Sequence, residues 1–448
     1  MQRLLLLIML QNSYLVLSQK LKSKHSITYK NHLHMKKTIL LFAFLLIASI
    51  ATKATDLLVN ETGSMGAFTT ITAAHAAAVD GDRIIVEPKA GGLPYIESFT
   101  ISKSVQILCN AESSKFAVQG NISVTPATVE EISIIGMELT GNVTSTIDAS
   151  TAGRTIFRLF YSTLTGHIAF DNNNYDVTVA NCTLNGYISL RSGRVIGNVI
   201  SSDMYHGVYV GDEASGGAVA LSDTIQIIGN RITCTANSAY YPINIVSQDY
   251  FYQIRNNFLY YTGRGIFISG WTSNLSGSHE IINNTLKRTT TSATSYAIYV
   301  SGITASGVLK IYNNLLDGYA NGTSYGIYLT SMSNGIVFIS YNYFDNGFSY
   351  YIAGATDDGT NGTSVSFTID ASTGQPTSGT YANLGHPDMI YYDLDLTRND
   401  VGCYGGSLSA RNFFPTGDAN HNRVYMLSLP TSVYTGNAIR VKAESFDK

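Results

Sequence analysis

The sequence has few charged residues for its length. Only 13% of its 448 residues are Asp, Glu, Lys or Arg, whereas it contains 40 Gly and 30 Tyr. Few charges combined with many Gly, Asn, Ser and Thr are typical of a β-protein with short strands and frequent turns. Its 8 Pro form no Pro-rich linker. The length alone would suggest two or three domains, but repeat folds escape that expectation because they grow by adding coils.

Cysteine is scarce as well. The four cysteines lie far apart in the sequence, and no pair has the spacing of metal ligands. The spacing predicts no disulfide, so we expect all four to be buried as small apolar side chains. They are Cys109, Cys182, Cys234 and Cys403.

The N-terminus predicts export. Residues 35–37 are Met-Lys-Lys, residues 38–50 form an apolar run, and small residues follow up to Ala54. This is the layout of a secretory signal peptide, and the run is too short for a comfortable membrane span, although a membrane anchor is the alternative. We therefore predict a signal peptide over 35–54 and a secreted or cell-surface protein without a membrane span. Residues 1–34 are interpreted as an upstream extension, either untranslated or removed.

Removal of this leader makes the chain acidic. Residues 1–54 hold eight Lys and Arg and no Asp or Glu, which leaves 20 basic and 31 acidic side chains, a net charge of −11. Such a balance argues against a nucleic-acid partner, because phosphate binding needs a basic surface. An acidic protein also does not attract a polyanion such as a uronate polymer unless a bound cation bridges the charges.

A repeat of 27 to 30 residues occupies the middle of the chain. Its copies align on an Asn that has Ile three positions before it and an apolar residue two positions after it. Apolar residues two apart lie on one face of a strand, and Asn tolerates the left-handed backbone of a sharp bend. Stacked copies would also let the Asn amides form hydrogen bonds with one another along the axis. The aligned residues are Asn230, Asn257, Asn284, Asn314 and Asn342.

Each repeat contains a third alternating segment. Three strands per coil indicate a three-sided solenoid, whereas a propeller blade would need four antiparallel strands in about 40 to 45 residues. The third segments are 207–210, 242–245, 265–268, 297–300 and 326–329.

Over roughly residues 60–410 the chain resembles the pectin-lyase-like right-handed parallel β-helix proteins. The segment 68–79 followed by 80–86 (Asp-Gly-Asp-Arg-Ile-Ile-Val) is similar to the opening of that family, and 393–406 is similar to a closing segment of exported bacterial members. The resemblance implies an all-β, right-handed three-sheet parallel β-helix with an N-terminal amphipathic helix cap. It leaves function open, because this fold hosts lyases, hydrolases, epimerases, adhesins and binding modules.

The chain changes character after Pro415. Two strand-like segments around a turn predict a short C-terminal β-hairpin, which either docks on the solenoid or begins a truncated β-sandwich module. We predict the boundaries 55–110 for the cap and first coil, 111–370 for the coils, 371–415 for a C-terminal coil and cap, and 416–448 for the β-strand tail.

The third strands present aromatic side chains outward. Tyr209, Phe267, Tyr299 and Tyr328 occupy one outward column, interrupted by Asn244, and Trp271 lies just past one of these strands. Rings in register about 4.8 Å apart suit stacking on the apolar faces of sugars, although aromatic pairs also stabilise sheets without any ligand. These aromatic residues are the predicted carbohydrate-binding residues, with a polysaccharide or cell-surface glycan as the partner.

Catalytic signatures are weaker. The Asn-Thr-Asp and Gly-His-Gly patterns of the family's hydrolases are absent, and the candidates for an acid/base or lyase site are His206, Arg264 and Asp212. Asp212 and Glu213 are also candidates for binding a cation. No cofactor is expected, except calcium if the chain is a lyase, as the resemblance implies.

The leading hypothesis is a secreted or surface β-helix that binds or is displayed on carbohydrate through the outward rings. A polysaccharide lyase or glycoside hydrolase with a divergent site is one alternative. A purely structural or adhesive envelope protein is the other. The oligomeric state is left open.

Overall fold

The computed structural model describes most of the chain from residue 54 onward. The described residues are 54–111, 114–145, 153–170, 175–211, 224–246, 251–269, 278–289, 295–302, 308–318, 324–330, 336–345, 349–352, 356–378, 381–413, 423–428 and 442–446. The predicted leader, apart from Ala54, and the residues Asp212, Glu213 and Trp271 lie outside this part.

Three parallel sheets, named A, B and C, contain 13, 12 and 11 strands within the described residues. Sheet A consists of Asp56–Val59, Arg83–Val86, Gln106–Cys109, Glu131–Ile135, Thr155–Phe160, Tyr175–Ala180, Gly193–Ile196, Thr224–Ile228, Phe251–Arg255, Ser278–Ile282, Val308–Tyr312, Ile336–Ser340 and Thr356–Asp357. Sheet B consists of Tyr95–Ile96, Phe116–Gln119, Met137–Thr140, Thr163–Leu164, Thr183–Asn185, Val199–Ser201, Arg231–Cys234, Phe258–Tyr261, Thr285–Arg288, Leu315–Asp317, Tyr343–Asp345 and Gly362–Val365. Sheet C consists of Phe99–Ile101, Ile122–Val124, Val143–Ser145, Ile168–Phe170, Ile188–Leu190, Val208–Val210, Ile243–Ile245, Arg264–Ser269, Tyr296–Ser301, Tyr325–Thr330 and Ser349–Ile352.

The chain passes through sheets A, B and C in turn, and each strand pairs with the equivalent strand of the next coil. This order, with parallel pairing throughout the three sheets, is the right-handed parallel β-helix that the repeat and the resemblance predicted.

The remaining elements lie outside these sheets. One α-helix spans Ile71–Ala77, with Thr70 as its N-cap, and its buried Ile71 and Ala74 belong to the solenoid core. Two antiparallel strand pairs and four 3₁₀ turns complete the described structure. The pairs are Thr368–Ile369 with Pro376–Ser378 and Arg423–Ser428 with Lys442–Phe446, and the turns are Ser64–Gly66, Ala90–Gly92, Met389–Tyr391 and Ala410–Asn412.

Stacked apolar columns fill the interior of the solenoid. The repeated Ile of sheet A is fully buried in every coil and pairs in register with the Ile of the next coil. Burying one such side chain contributes about 1.5–3 kcal/mol, so a column of identical residues is a large and regular source of stability. The column is Ile227, Ile254, Ile281, Ile311 and Ile339. All four cysteines are buried, as the sequence predicted.

An asparagine ladder runs along the corner between sheets A and B. The Nδ2 of each Asn donates to the Oδ1 of the next, over distances of 2.8 to 3.0 Å. Each Nδ2 also donates to a carbonyl of the preceding coil, as Asn284 does to Ile254 at 2.9 Å. The predicted stacking of the aligned Asn is therefore confirmed, and it extends over Asn198, Asn230, Asn257, Asn284, Asn314, Asn342 and Asn361.

The left-handed residue at this corner is not the ladder Asn, contrary to our interpretation of the repeat. It is the residue just before it, for example Asn256, Asn283 and Asn313, with φ of 56°, 57° and 58°. The ladder Asn lies at the start of sheet B with its side chain buried, whereas the preceding residue turns the chain. Gly197 and Gly229 occupy the turning position in earlier coils, also with positive φ.

The C-terminal segment 381–413 runs back along the outside of this corner. We predicted a closing coil and cap over 371–415, but 381–413 contributes no strand to the three sheets within the described residues. Asn313 Oδ1 accepts from the His386 backbone N–H at 2.8 Å, and Asn256 Nδ2 donates to the Cys403 carbonyl at 3.1 Å. The left-handed Asn residues point their amides outward, and these amides bind the returning segment.

The C-terminal segments also cover part of sheet B. Phe258 and Leu315, which lie on the outer face of sheet B, pack with Phe367, Ile369 and Val401 in one apolar cluster, together with Cys403 and Ala410. Sheet C has a different outer face.

The helices in the described part of the chain lack the length and hydrophobicity that a membrane span requires.

Substitution of a ladder Asn should destabilise the fold strongly. Asn284→Ala removes the acceptor of both the backbone N–H and Nδ2 of Asn257, and it removes one of the two donors to Asn314 Oδ1. Because each buried polar group without a partner costs about 1–3 kcal/mol, we expect a loss of about 3 kcal/mol in the free energy of unfolding. Urea denaturation measures it. Asn110→Ala, at an exposed position, is the matched control, and an equally small effect of both substitutions would contradict the role of the ladder.

The core also predicts acid sensitivity. His279 is inward-facing in sheet A, in register with Leu309, and burial lowers its pKa from 6.5 to about 3. In the unfolded chain His279 becomes protonated as the pH falls below about 6.5, whereas in the folded chain it stays neutral. Protonation therefore favours the unfolded chain, and stability is lost as the pH falls from 6.5 towards 3. We expect His279→Leu to lose less stability than the unsubstituted protein over this range in urea denaturation. If the free energy of unfolding fell equally with pH in both proteins, His279 would be excluded as a source of the acid sensitivity.

Candidate functional site: an aromatic belt on sheet C

The outward column of sheet C has the register that the sequence predicted. Tyr209 pairs with Asn244, Asn244 with Phe267, Phe267 with Tyr299, and Tyr299 with Tyr328. Each of these residues stands between inward residues that are fully buried, such as Ile266 and Ile268 on either side of Phe267. The alternation therefore places all five on the outer face of the sheet.

A second row of aromatic residues lies beside this column. Tyr241 lies just before its strand, and Tyr296 and Tyr325 are the first residues of theirs. The ring centroid of Tyr296 is 6.0 Å from that of Tyr325, with the two rings nearly parallel, and 5.1 Å from that of Tyr299. We call the two rows the aromatic belt, which consists of His206, Tyr209, Tyr241, Phe267, Tyr296, Tyr299, Tyr325 and Tyr328.

The belt is not the flat platform of exposed rings that we expected. The rings of Phe267 and Tyr299 are 5.1 Å apart and inclined at 39°, and those of Tyr299 and Tyr328 are 5.2 Å apart and inclined at 61°. Phe267, Tyr299 and Tyr328 are half-buried. The belt combines stacked, tilted and edge-to-face ring pairs, and offset-stacked and edge-to-face pairs are the arrangements that suit the ring quadrupoles. The belt therefore offers tilted ring faces and edges, with phenolic hydroxyl groups on six of its members.

Arg264 lies at the centre of the belt. Its guanidinium carbon is 4.5 Å from the ring centroid of Phe267 and 4.7 Å from that of Tyr299, with Tyr241 and Tyr296 at 5.2 and 5.6 Å. Its Nη1 donates to the Tyr241 hydroxyl at 3.2 Å. Within the described part of the chain no carboxylate forms an ion pair with Arg264. Cation–π contacts with the surrounding rings stabilise its charge instead.

His206 is held in the belt by two polar contacts. Its Nδ1 lies 3.0 Å from the backbone nitrogen of Tyr241, which donates to it, and its Nε2 lies 2.7 Å from the amide of Asn244. Burial lowers the pKa of His206 to about 4, so the imidazole is neutral at neutral pH.

Two of the three predicted catalytic residues lie within the described residues. His206 and Arg264 each contact the ring of Tyr241, and both are engaged with neighbouring side chains or backbone. The third candidate, Asp212, lies outside the described residues, as do Glu213 and Trp271. No group of three His, Cys, Asp or Glu suited to a metal ion occurs among the residues that the structure describes. An acid/base site at His206 and Arg264 stays a prediction.

Three of the eight belt residues, Tyr241, Tyr296 and Tyr325, were not among the binding residues that the sequence predicted. Regular alternation would place these residues on the same face as the inward Ile two positions later. Their rings instead contact Phe267 and Tyr328 on the outer face, and the residue between Tyr296 and Ile298, Ala297, is also buried.

Comparison with known proteins assigns this chain to no family. No protein-family model matches the chain, and no curated protein matches it. Among solved structures, the crystal structure of pectate lyase Pel9A is similar to 80% of this chain and 97% of its own, with 14% identity and a TM-score of 0.37. The assignment of the fold rests on the three parallel sheets of this chain.

The packing of Arg264 predicts that lysine cannot replace it. Arg264→Lys keeps the charge but loses the planar group that lies against four rings, and we expect it to lower the free energy of unfolding by about 0.5–1 kcal/mol. Urea denaturation and the near-ultraviolet circular dichroism of the tyrosines measure the change. The control is Arg83→Lys, at an exposed pair with Asp56, where we expect no resolvable loss. Equal effects at both positions would contradict the assigned packing.

Proposed function

We propose that this protein is an exported β-helix that binds polysaccharide along the aromatic belt of sheet C. The observation that carries the proposal is the continuity of the belt. Rings from successive coils touch one another from Tyr241 to Tyr328, so the belt carries both apolar ring surface and phenolic hydroxyl groups along the solenoid. A polymer of sugars has the same alternation of apolar ring faces and hydroxyl groups.

The chemistry of the belt favours an uncharged glycan over a free ion or a nucleic acid. Phe267 and the tyrosines supply large and rigid contact area, which is the composition that dominates binding energy at protein interfaces. The only cation placed within the belt, in the described residues, is Arg264, and its charge lies against rings. The net acidic composition of residues 55–448 would repel a polyanion elsewhere on the surface.

The half-buried state of the rings supports binding rather than mere packing. Tyr209, Phe267, Tyr299 and Tyr328 keep part of their surface accessible, whereas Phe258 and Leu315 on sheet B are covered by the C-terminal segments. A sheet face that served stability alone would gain more from being covered, because burial of each ring removes apolar area from water.

Export forms part of the same proposal. The basic residues 35–37 followed by the apolar run 38–50 support secretion, and polysaccharides are abundant outside cells. Expression in its native host with detection in the medium or on the cell surface tests this part separately from binding.

Removal of two belt rings should abolish most of the binding. We expect Tyr299→Ala combined with Tyr328→Ala to weaken retention on cellulose, xylan, mannan or chitin by at least about tenfold, because truncation of a central aromatic residue costs more than about 1 kcal/mol. The measurement is depletion of the protein from solution by each insoluble polymer, with affinity electrophoresis for soluble glycans.

The matched control is Tyr381→Ala combined with Tyr392→Ala, two partly exposed tyrosines of the C-terminal segment. This double variant should bind like the unsubstituted protein. Failure of the unsubstituted protein to bind any polymer of the panel would reject the proposal, as would equal retention of the belt variant and the control. Release of new reducing ends or of unsaturated products during the same incubation would instead point to a catalytic protein.

A further inference from the structure

Asn244 breaks the aromatic column at its second position. It pairs in register with Tyr209 on one side and Phe267 on the other, and it is only 5% exposed. One of its two amide heteroatoms lies 2.7 Å from Nε2 of His206. The other amide heteroatom is buried and has no hydrogen-bond partner among the described residues. Buried amide groups are normally paired on both sides, so this one calls for an explanation.

The hydrogen bonds of His206 determine which amide atom is left over. The backbone N–H of Tyr241 donates to Nδ1, so Nδ1 carries no hydrogen. A neutral imidazole has one hydrogen, which must then reside on Nε2. An Nε2–H group needs an acceptor, and the only acceptor in an amide side chain is its oxygen. The side chain of Asn244 therefore directs Oδ1 towards His206, which fixes the orientation that the interchangeable N and O positions of an amide otherwise leave open.

The atom without a partner is consequently Nδ2, with two hydrogens to donate. It lies on the outer face of sheet C between the rings of Tyr209 and Phe267. A buried donor without an acceptor destabilises the protein, and an apolar or aromatic residue at this position would avoid that loss. The arrangement is thus unfavourable in the free protein and becomes favourable when an acceptor is supplied from outside.

We infer that Asn244, oriented by His206, is the specificity-determining donor of the belt and binds an oxygen atom of a sugar that stacks on Tyr209 and Phe267. The inference rests on the proposed function and adds a subsite to it. The ligand class is a glycan with a hydroxyl or ring oxygen in the plane of the stacked ring. His206 is a positioning residue in this account, since it acts through the amide that it orients.

The protonation of His206 tests the first step without any ligand. In protein with ¹⁵N-labelled histidine, long-range ¹H–¹⁵N correlation spectra distinguish the two neutral tautomers. We expect His206 to be the Nε2–H tautomer at neutral pH. The Nδ1–H tautomer would overturn the inference, because Nε2 would then accept from Asn244 and leave an acceptor facing the ligand.

Substitution of Asn244 tests the second step. Asn244→Leu has nearly the same size, keeps apolar contact with the neighbouring rings and has no donor. On the polymer that the unsubstituted protein binds, we expect its affinity to fall by about tenfold, the value of one hydrogen bond of about 1.4 kcal/mol. A platform that binds through apolar contact alone would bind Asn244→Leu as tightly or more tightly, and that result overturns the inference.

The two proposals fail in different ways. If Tyr299→Ala with Tyr328→Ala loses binding while Asn244→Leu retains it, the belt binds glycan and the role of Asn244 is wrong. If the unsubstituted protein binds no polymer, both are wrong. Thermal unfolding of Asn244→Leu verifies that the variant is folded, and the tautomer measurement on the unsubstituted protein decides the inference if it is not.

Discussion

The hydrogen bonds between stacked asparagine amides are the interaction on which the rest of the structure depends. In a solenoid the apolar interior alone would tolerate a coil that is slightly displaced, because Ile packs on Ile over a range of positions. An amide that must give two hydrogens and accept two is far less tolerant, since a displaced coil would leave buried polar groups without partners. The ladder from Asn198 to Asn361 therefore fixes the register at one corner of seven successive coils.

Register at that corner determines what happens on sheet C. Because every coil enters sheet B at its Asn, residues at equivalent positions of successive coils stack on one another. Tyr299 then lies on Tyr328, and Tyr296 lies on Tyr325, although loops of different lengths separate the strands. The belt is thus a consequence of the same repeat that builds the core. The residues before the ladder, such as Asn256 and Asn283, use their outward amides to hold the returning C-terminal segment instead.

The sequence predicted the parts of this structure that repeat. The Ile column, the stacked Asn and the outward column of sheet C follow from a spacing that recurs in five copies, so each copy supports the others. The position of the backbone turn, which also repeats, and the return of the C-terminal segment, which occurs once, were missed. The backbone turn lies one residue before the ladder Asn because the amide must point inward, and a pattern of residue types does not show that direction. The return of 381–413 along the corner depends on contacts more than 70 residues apart in the chain, such as Asn313 with His386.

The candidate site was also predictable only in part. Which strands carry rings was predictable, but whether those rings stay flat and exposed was not, since tilt depends on neighbours in three dimensions. Hydroxyl-radical footprinting of tyrosines with and without a bound glycan tests directly whether carbohydrate lies along the belt. We expect protection of Tyr299 and Tyr328 and unchanged oxidation of Tyr381 and Tyr392. Protection confined to tyrosines outside sheet C, or no protection by a glycan that binds, would contradict it.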